Sequence, residues 1–330
     1  MNDWITIATN FAIYSFIGWI WETIFVSVRK KKVINRGFLY GPWLPIYGLG
    51  ALLILHVSSP WKDVPSIVFL SGMIGASILE YFTGVIMEYL FHVRYWDYSN
   101  QPFNLNGHIC LHVSLAWGIA SLLLIYLIHP VLITIFTLYP TPHTHFIILI
   151  LSPLFALDVF FSTLHAVDMR QLLSKLQIKN KLKIQIKNSI QHLQTDFNIK
   201  LSSLEEFFVD FHDMSDLTKE KIKTIKEHSI ESRIQYYLSK EKEAFELLEN
   251  QCHSLIHRLK MNSESNQKEI EDLNILLNSI QNLKSAHTSK EKKSLTSTIS
   301  ILQRNPSSIS NHYPSAFQQL VSLKKKKDRN

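Results

Sequence analysis

Glycine and tryptophan run out early in this chain. All ten glycines and all seven tryptophans of its 330 residues lie at or before Gly118, and no proline occurs between Pro153 and Pro306. A tract without Gly or Pro offers none of the punctuation that ends short strands, so it reads as long helix. Cysteine is scarce as well. Cys110 sits in an apolar run and Cys252 in a charged one, which excludes a disulfide framework and a Cys-x-x-Cys metal knuckle. No glycine is followed directly by lysine, so the phosphate-binding loop Gly-x-x-x-x-Gly-Lys-Ser/Thr is missing, and with it an ATPase function within this chain. No serine stands in a Gly-x-Ser-x-Gly setting. The chain is therefore not read as an enzyme, and neither catalytic residues nor a cofactor are expected. No basic stretch precedes the first apolar segment, which is too long for a signal-peptide core, so no cleavable signal is expected.

What is present divides the chain in two. Residues 1–169 hold seven Lys/Arg against eight Asp/Glu, and residues 170–330 hold twenty-seven against nineteen. The first part is apolar and nearly neutral; the second is charged and basic. Its lysines alternate with acids, which is the pattern of a solvated helix surface and argues against nucleic-acid binding.

Five segments approach or reach the roughly 20 apolar residues that cross a bilayer: about 4–28, 38–57, 64–91, 108–129 and 145–167. Arg29, Lys30, Lys31, Lys32 and Arg36 follow the first, and Arg170, Lys175, Lys179 and Lys181 follow the fifth. Basic loops stay cytoplasmic. The expectation is a multi-pass protein of the cell membrane with its N-terminus outside and its C-terminus in the cytoplasm. After Arg170 an apolar periodicity of three and four begins. It passes through Ile186, Ile190, Leu193 and Phe197 to Phe211, then Phe245, Leu248, Cys252, Leu255 and Leu259, then Ile270, Leu273, Leu277 and Ile280. Breaks fall near Asp213–Asp216 and Asn262–Asn266. The fold class is thus all-α: a transmembrane helical bundle over residues 1–169, a cytoplasmic helical hairpin or coiled coil over 170–305, and a flexible basic tail over 306–330.

Residues 35–50 stand apart. Gly37, Gly41, Gly48 and Gly50 alternate with Pro42, Pro45 and large aromatics, a mixture suited to neither a plain helix nor a strand. Irregular backbone at membrane depth persists only where it is buried in protein or lines a wet cavity, so this stretch is expected to open a broken or tightly packed membrane helix. The small residues Gly18, Gly72, Ala76 and Gly84 are read first as close-packing positions.

Ionisable groups in apolar segments are functional candidates by default. Glu22, Glu80, Glu88 and Asp158 qualify, and Glu80, Gly84 and Glu88 share one helix stripe. Two readings stay open. One is a structural lattice pairing Glu22 or Glu88 with Arg36 and Arg94 with Asp97. The other is a substrate pathway formed by Glu22, Asn35, Arg36, Gly37, Gly41, Pro42, Glu80, Glu88, Asp97, Asn104 and His108. A metal site from Glu80, Glu88, His108 and His112 is a minor alternative, because spacing relates only the two histidines.

Several blocks then resemble one family. Tyr14-Ser-Phe-Ile-Gly-Trp with Glu22, Asn35-Arg-Gly-Phe-Leu-Tyr-Gly-Pro-Trp-Leu-Pro-Ile-Tyr-Gly, Leu79-Glu-Tyr-Phe-Thr-Gly with Glu88, Trp96-Asp-Tyr-Ser and Phe103-Asn-Leu-Asn-Gly-His-Ile-Cys-Leu are similar to the putative ABC-transporter type IV, permease-like membrane family of bacteria. The resemblance covers about residues 10–130, with His108 standing where a basic residue such as Arg is expected. It implies a permease subunit in the bilayer whose ATPase is a separate protein. Five helices are few to enclose a pathway, so a homodimer is expected. The rival reading is a membrane-anchored scaffold or sensor that acts through its cytoplasmic coiled coil.

Overall fold

A computed structural model describes residues 3–138, 141–197, most of 238–260, 267–285 and 289–325. It is almost wholly helical and divides into two compact units, one comprising Met1–Arg170 with Ser300–His312, the other Gln171–Ile299 with Tyr313–Asn330.

In the first unit α1 spans Asp3–Lys30, α2 Pro45–Ser58, α3 Pro65–Phe91, α4 Leu111–Leu123 and α5 His129–Leu138; α6 begins at Thr141 and runs to Phe197. Among the described residues four stretches are long and apolar enough to cross a membrane: Trp4–Lys30, Pro65–Phe91, Leu111–Ile135 and Phe146–Lys181. Large apolar side chains such as Phe25, Ile78, Phe82 and Leu149 point outward with more than half their surface free. In water that would be costly, and against acyl chains it is the ordinary condition. The protein is a membrane protein.

The second apolar segment is shorter than the expected 38–57. Its helix starts only at Pro45, which takes the first helical position after an extended Leu44 (φ −120°, ψ 92°). The residue before a proline is pushed out of helical geometry, and proline at the first turn forfeits no hydrogen bond. The resulting 14 residues reach about 21 Å at 1.5 Å per residue, short of a bilayer core. In the irregular chain before it Gly37 takes φ +127°, which a side chain would resist.

The fourth segment is also shifted, from 108–129 to a helix that begins at Leu111. Residues Leu124–Ile128 form one π-helical turn joining α4 to α5. Pro130 comes just after it, beyond His129; it has no N–H for the carbonyl one turn back, and widening the helix before it relieves that defect. Ahead of α4 stands a small hairpin absent from the sequence-based expectation, with β1 (Asn104–Leu105) antiparallel to β2 (Ile109–Cys110) and Asn104 opposite Cys110. Its turn holds Asn106 and Gly107 at positive φ, and this Asn-Gly pair was the available signal.

The membrane helices pack where small residues admit neighbours. A side-chain carbon at Gly48 would collide with Phe11 and Ser15 of α1, and one at Gly72 with Ser121 of α4, so the close-packing reading of Gly72 holds. Tyr14, Ala51, Ile54, Ala76 and Leu124 form the apolar centre of the bundle.

In the second unit α6 continues to Phe197, and α7 (Gln267–Ser285), most of α8 (Ser289–Arg304) and α9 (Pro314–Lys325) follow. Leu273, Leu277 and Ile280 are buried, as are Phe245 and Cys252, which is the face the periodicity marks. The apolar positions from Leu201 to Phe211 and both expected breaks lie outside the described residues. Residues 306–330 read from sequence as a loose basic tail. Their described part instead contains α9 and an antiparallel bridge between Ile309 and Arg94.

Candidate functional site

The polar groups of the membrane unit gather into three linked sets. The first surrounds α3 at Glu88. Arg94 Nε donates to Glu88 Oε2 at 2.7 Å, and its Nη1 donates to Asp97 at 3.5 Å and to the Asn106 carbonyl at 3.0 Å. His108 Nε2 stands 3.3 Å from the same Glu88 oxygen. The backbone carbonyl of His108 accepts from the Trp96 indole at 2.9 Å, while its ring fills the space over Gly84. Burial and the Arg94 charge lower the His108 pKa, against the opposing pull of Glu88 and Asp97. Asn104 ties the hairpin to Ser99 and Gln101 and accepts from the Gly107 amide. This is the lattice anticipated for Arg94 and Asp97, extended to Glu88.

Two turns earlier on the same stripe, Glu80 has a different setting. It is 6 % exposed. Among the described residues its hydrogen-bond partners are the Trp117 indole N–H at 2.9 Å and the Tyr98 hydroxyl at 3.3 Å, both neutral donors. The Trp117 ring lies 5.3 Å from that of Tyr47, whose hydroxyl donates to Glu22 at 2.9 Å. Glu22 in turn faces Arg36 at 3.5 Å. A polar line therefore runs through an otherwise apolar bundle in two hydrogen-bonded halves, Arg36–Glu22–Tyr47 and Trp117–Glu80–Tyr98, which meet in the ring contact of Tyr47 with Trp117. Tyr47 and Trp117 join this line without a charge of their own, so the criterion of ionisable groups in apolar segments passes over both.

The third set holds the irregular stretch. Asn35 accepts from the Trp19 indole at 2.6 Å and donates to the Tyr40 carbonyl at 2.7 Å. The Tyr40 and Gly41 amides donate to the two carboxylate oxygens of Asp158 at 2.9 and 2.7 Å. Backbone outside a helix must find partners at this depth, and Asp158 supplies them from α6. Residues 36–39 are met by a segment far along the chain. Arg304 Nη1 donates to the Leu39 carbonyl at 2.6 Å, Asn305 Nδ2 to the Gly37 carbonyl at 3.1 Å, and Arg36 Nη1 to Asn305 Oδ1 at 2.6 Å. The Arg304 guanidinium lies over the Tyr40 ring, 3.9 Å from its centre. Burial lowers the Arg304 pKa, partly offset by Tyr40, Tyr95 and Asp158.

Of the residues read from sequence, the structure joins Glu22 with Arg36, Glu88 with His108 directly, and Glu88 with Asp97 through Arg94. Asn35, Gly37 and Gly41 shape the irregular stretch, Pro42 lies in it, and Asn104 belongs to the hairpin. The four-residue metal arrangement does not assemble: Glu80 is engaged by Trp117 and Tyr98, and His112 faces the Cys110 sulfur at 3.3 Å. Among the described residues no three His, Cys, Asp or Glu side chains converge on one point. Arg304 and Asn305 are absent from the sequence-based candidates altogether. The one hint is that Arg304 and Asn305 directly precede Pro306, the first proline since Pro153.

Residues 9–163 match the model of the family described as putative ABC-transporter type IV. No curated protein matches the chain, and no solved structure matches it.

Proposed function

Starting from residues 9–163 as a member of the putative ABC-transporter type IV family, we propose that this protein is the permease-like membrane subunit of a transport system whose ATP-hydrolysing subunit is a separate chain. The observation that carries the reading is Glu80: a buried carboxylate in an apolar bundle, held by an indole and a phenol. A carboxylate kept for structure is normally given a cation, since an unpaired charge in a low-dielectric interior is costly. Neutral donors keep Glu80 oriented while leaving its charge to be met by something that arrives. Glu22 and Glu80 then serve as successive stations for a cation or a basic substrate group, and Arg36 balances Glu22 while the line is empty. Asn35, Gly37, Gly41 and Pro42 shape the wall beside Glu22; Glu88, Asp97, Asn104 and His108 brace the far end. The basic loops favour an N-terminus outside and a helical region in the cytoplasm, and a homodimer would complete the pathway.

The test is Glu80→Gln in cells that depend on the protein, with membrane abundance followed by immunoblot. Loss of complementation at unchanged abundance is expected. Full complementation would overturn the pathway reading. A mild-detergent pull-down from native membranes tests the partner, with co-purification of an ATPase as the expected result.

A further inference from the structure

The surface that Arg304 occupies has the makings of a receptor. The carbonyls of Phe38 and Leu39 accept from its Nη1 at 3.4 and 2.6 Å, the Tyr40 ring stacks beneath its plane, and Asp158 grips the amides of the same turn. Carbonyl oxygens at the edge and an aromatic face below are the two features that recognise a planar guanidinium; a compact ammonium satisfies only one at a time. Every part of this cradle falls within residues 9–163, whereas Arg304 lies outside that match. The receptor thus belongs to the family's portion of the chain and its occupant does not.

The fit is also incomplete. Arg304 is 7 % exposed, yet its Nε and Nη2 are buried without an acceptor among the described residues. Leaving donors of a buried charge unsatisfied is expensive, which makes Arg304 a weaker anchor than its burial suggests, while Ile309 ties the same arm to Arg94 through two backbone bonds. The segment Ser300–His312 carries it, belonging to the membrane unit while the residues on both sides belong to the other unit. Asn305 binds Arg36, so the arm closes the Glu22 end of the polar line.

We propose that the Phe38–Tyr40 cradle is a binding site for a guanidinium-bearing cation, and that Arg304 is its tethered occupant, displaced when such a ligand arrives. The inference rests on the polar line being a cation route and names the class of cation and its gate. Release of the arm frees Arg36 from Asn305 and uncovers the carbonyls, so ligand and gate compete for one set of contacts.

The experiment follows the arm rather than transport. Ser308 is buried, and Ser308→Cys in the full-length protein in detergent provides a thiol whose maleimide labelling reports undocking; Cys110 and Cys252 are buried and give a low background. Agmatine, a guanidinium amine, is expected to accelerate labelling, while a diamine of similar length does not. Combining the cysteine with Arg304→Ala or with Arg304→Lys is expected to raise the rate about tenfold, the factor that loss of one charge-assisted hydrogen bond brings. Equal effects of agmatine and the diamine, or protection unchanged in the Arg304 variants, would overturn the proposal. Because labelling needs no flux, either result leaves the Glu80→Gln outcome to be judged separately.

Discussion

Glu80 and Glu88 invite direct comparison. Both sit on α3, two turns apart on one face, flanking Gly84. Glu88 is fixed by Arg94 at 2.7 Å and approached by His108 at 3.3 Å, with Asp97 on the far side of Arg94. Glu80 is held by Trp117 and Tyr98. Identical chemistry on one helix face thus ends in two settings: a carboxyl group paired with a cation in place, and a carboxyl group with only neutral donors. A buried acid is therefore not a functional residue by virtue of burial; its partners decide.

The most severe challenge to that contrast is Arg94→Ala. Both side chains of its pair with Glu88 are 14 % exposed, and removing one partner of a buried pair leaves the other uncompensated, typically at about 3–5 kcal/mol. Thermal unfolding in detergent should register a large fall, and a stability close to that of the parent would refute the lattice assignment. Gly84→Val should cost less, about 1–3 kcal/mol, the usual penalty for overpacking. Its first side-chain carbon would lie 2.8 Å from His108 Nδ1 and 3.3 Å from His108 Cγ and Trp96 Cζ2, so the hairpin must shift to admit it.

Glu80→Gln probes the same pair of acids from the other side. Glutamine keeps an oxygen for the Trp117 indole and a donor that the Tyr98 oxygen can accept, so the stability change should stay below about 1 kcal/mol. Glu88→Gln, which strips Arg94 of its nearer partner, should exceed it. An equal loss in the two variants, measured side by side, would erase the distinction.

The smallest effect expected is a pH dependence at the Glu88 end. His108 faces Arg94, Glu88, Asp97 and the Tyr81 ring, and its pKa lies below the ordinary 6.5 because of burial and Arg94. The unfolded chain then takes up the proton first as pH falls. Stability should be level above about 6.5 and decline beneath it, levelling again once the folded protein is protonated. His92, lowered by burial and by Arg170 and His312, adds a slope of the same sign. His108→Asn should therefore flatten the curve in part; an unchanged curve would remove His108 from the account.

How far a sequence can be read follows from the range of the interactions concerned. Apolar length identified the membrane helices because one segment suffices to meet a bilayer. The Gly/Pro density of residues 35–50 marked the irregular stretch because φ and missing donors are properties of single residues. Periodicity found the buried face of Leu273, Leu277 and Ile280 for the same local reason. Pairing Glu22 with Arg36 was within reach too. The loop folds straight back on α1, where the Thr23 hydroxyl accepts from the Arg36 amide only thirteen positions away.

Other features were illegible for want of any local cause. Neutral side chains such as Trp117 give no sign that they will meet a carboxylate from another helix. Arg304 and Leu39 stand 265 positions apart, and nothing in either neighbourhood names the other. The order of residues was enough to establish a helical membrane protein with acids in its apolar half and a charged helical half behind it, because hydrophobic burial and backbone satisfaction act segment by segment. Which acid is neutralised, which meets only neutral donors, and that a distant arginine fills the Phe38–Tyr40 turn emerged from the folded chain alone, because such pairings depend on where the backbone brings groups within hydrogen-bond reach.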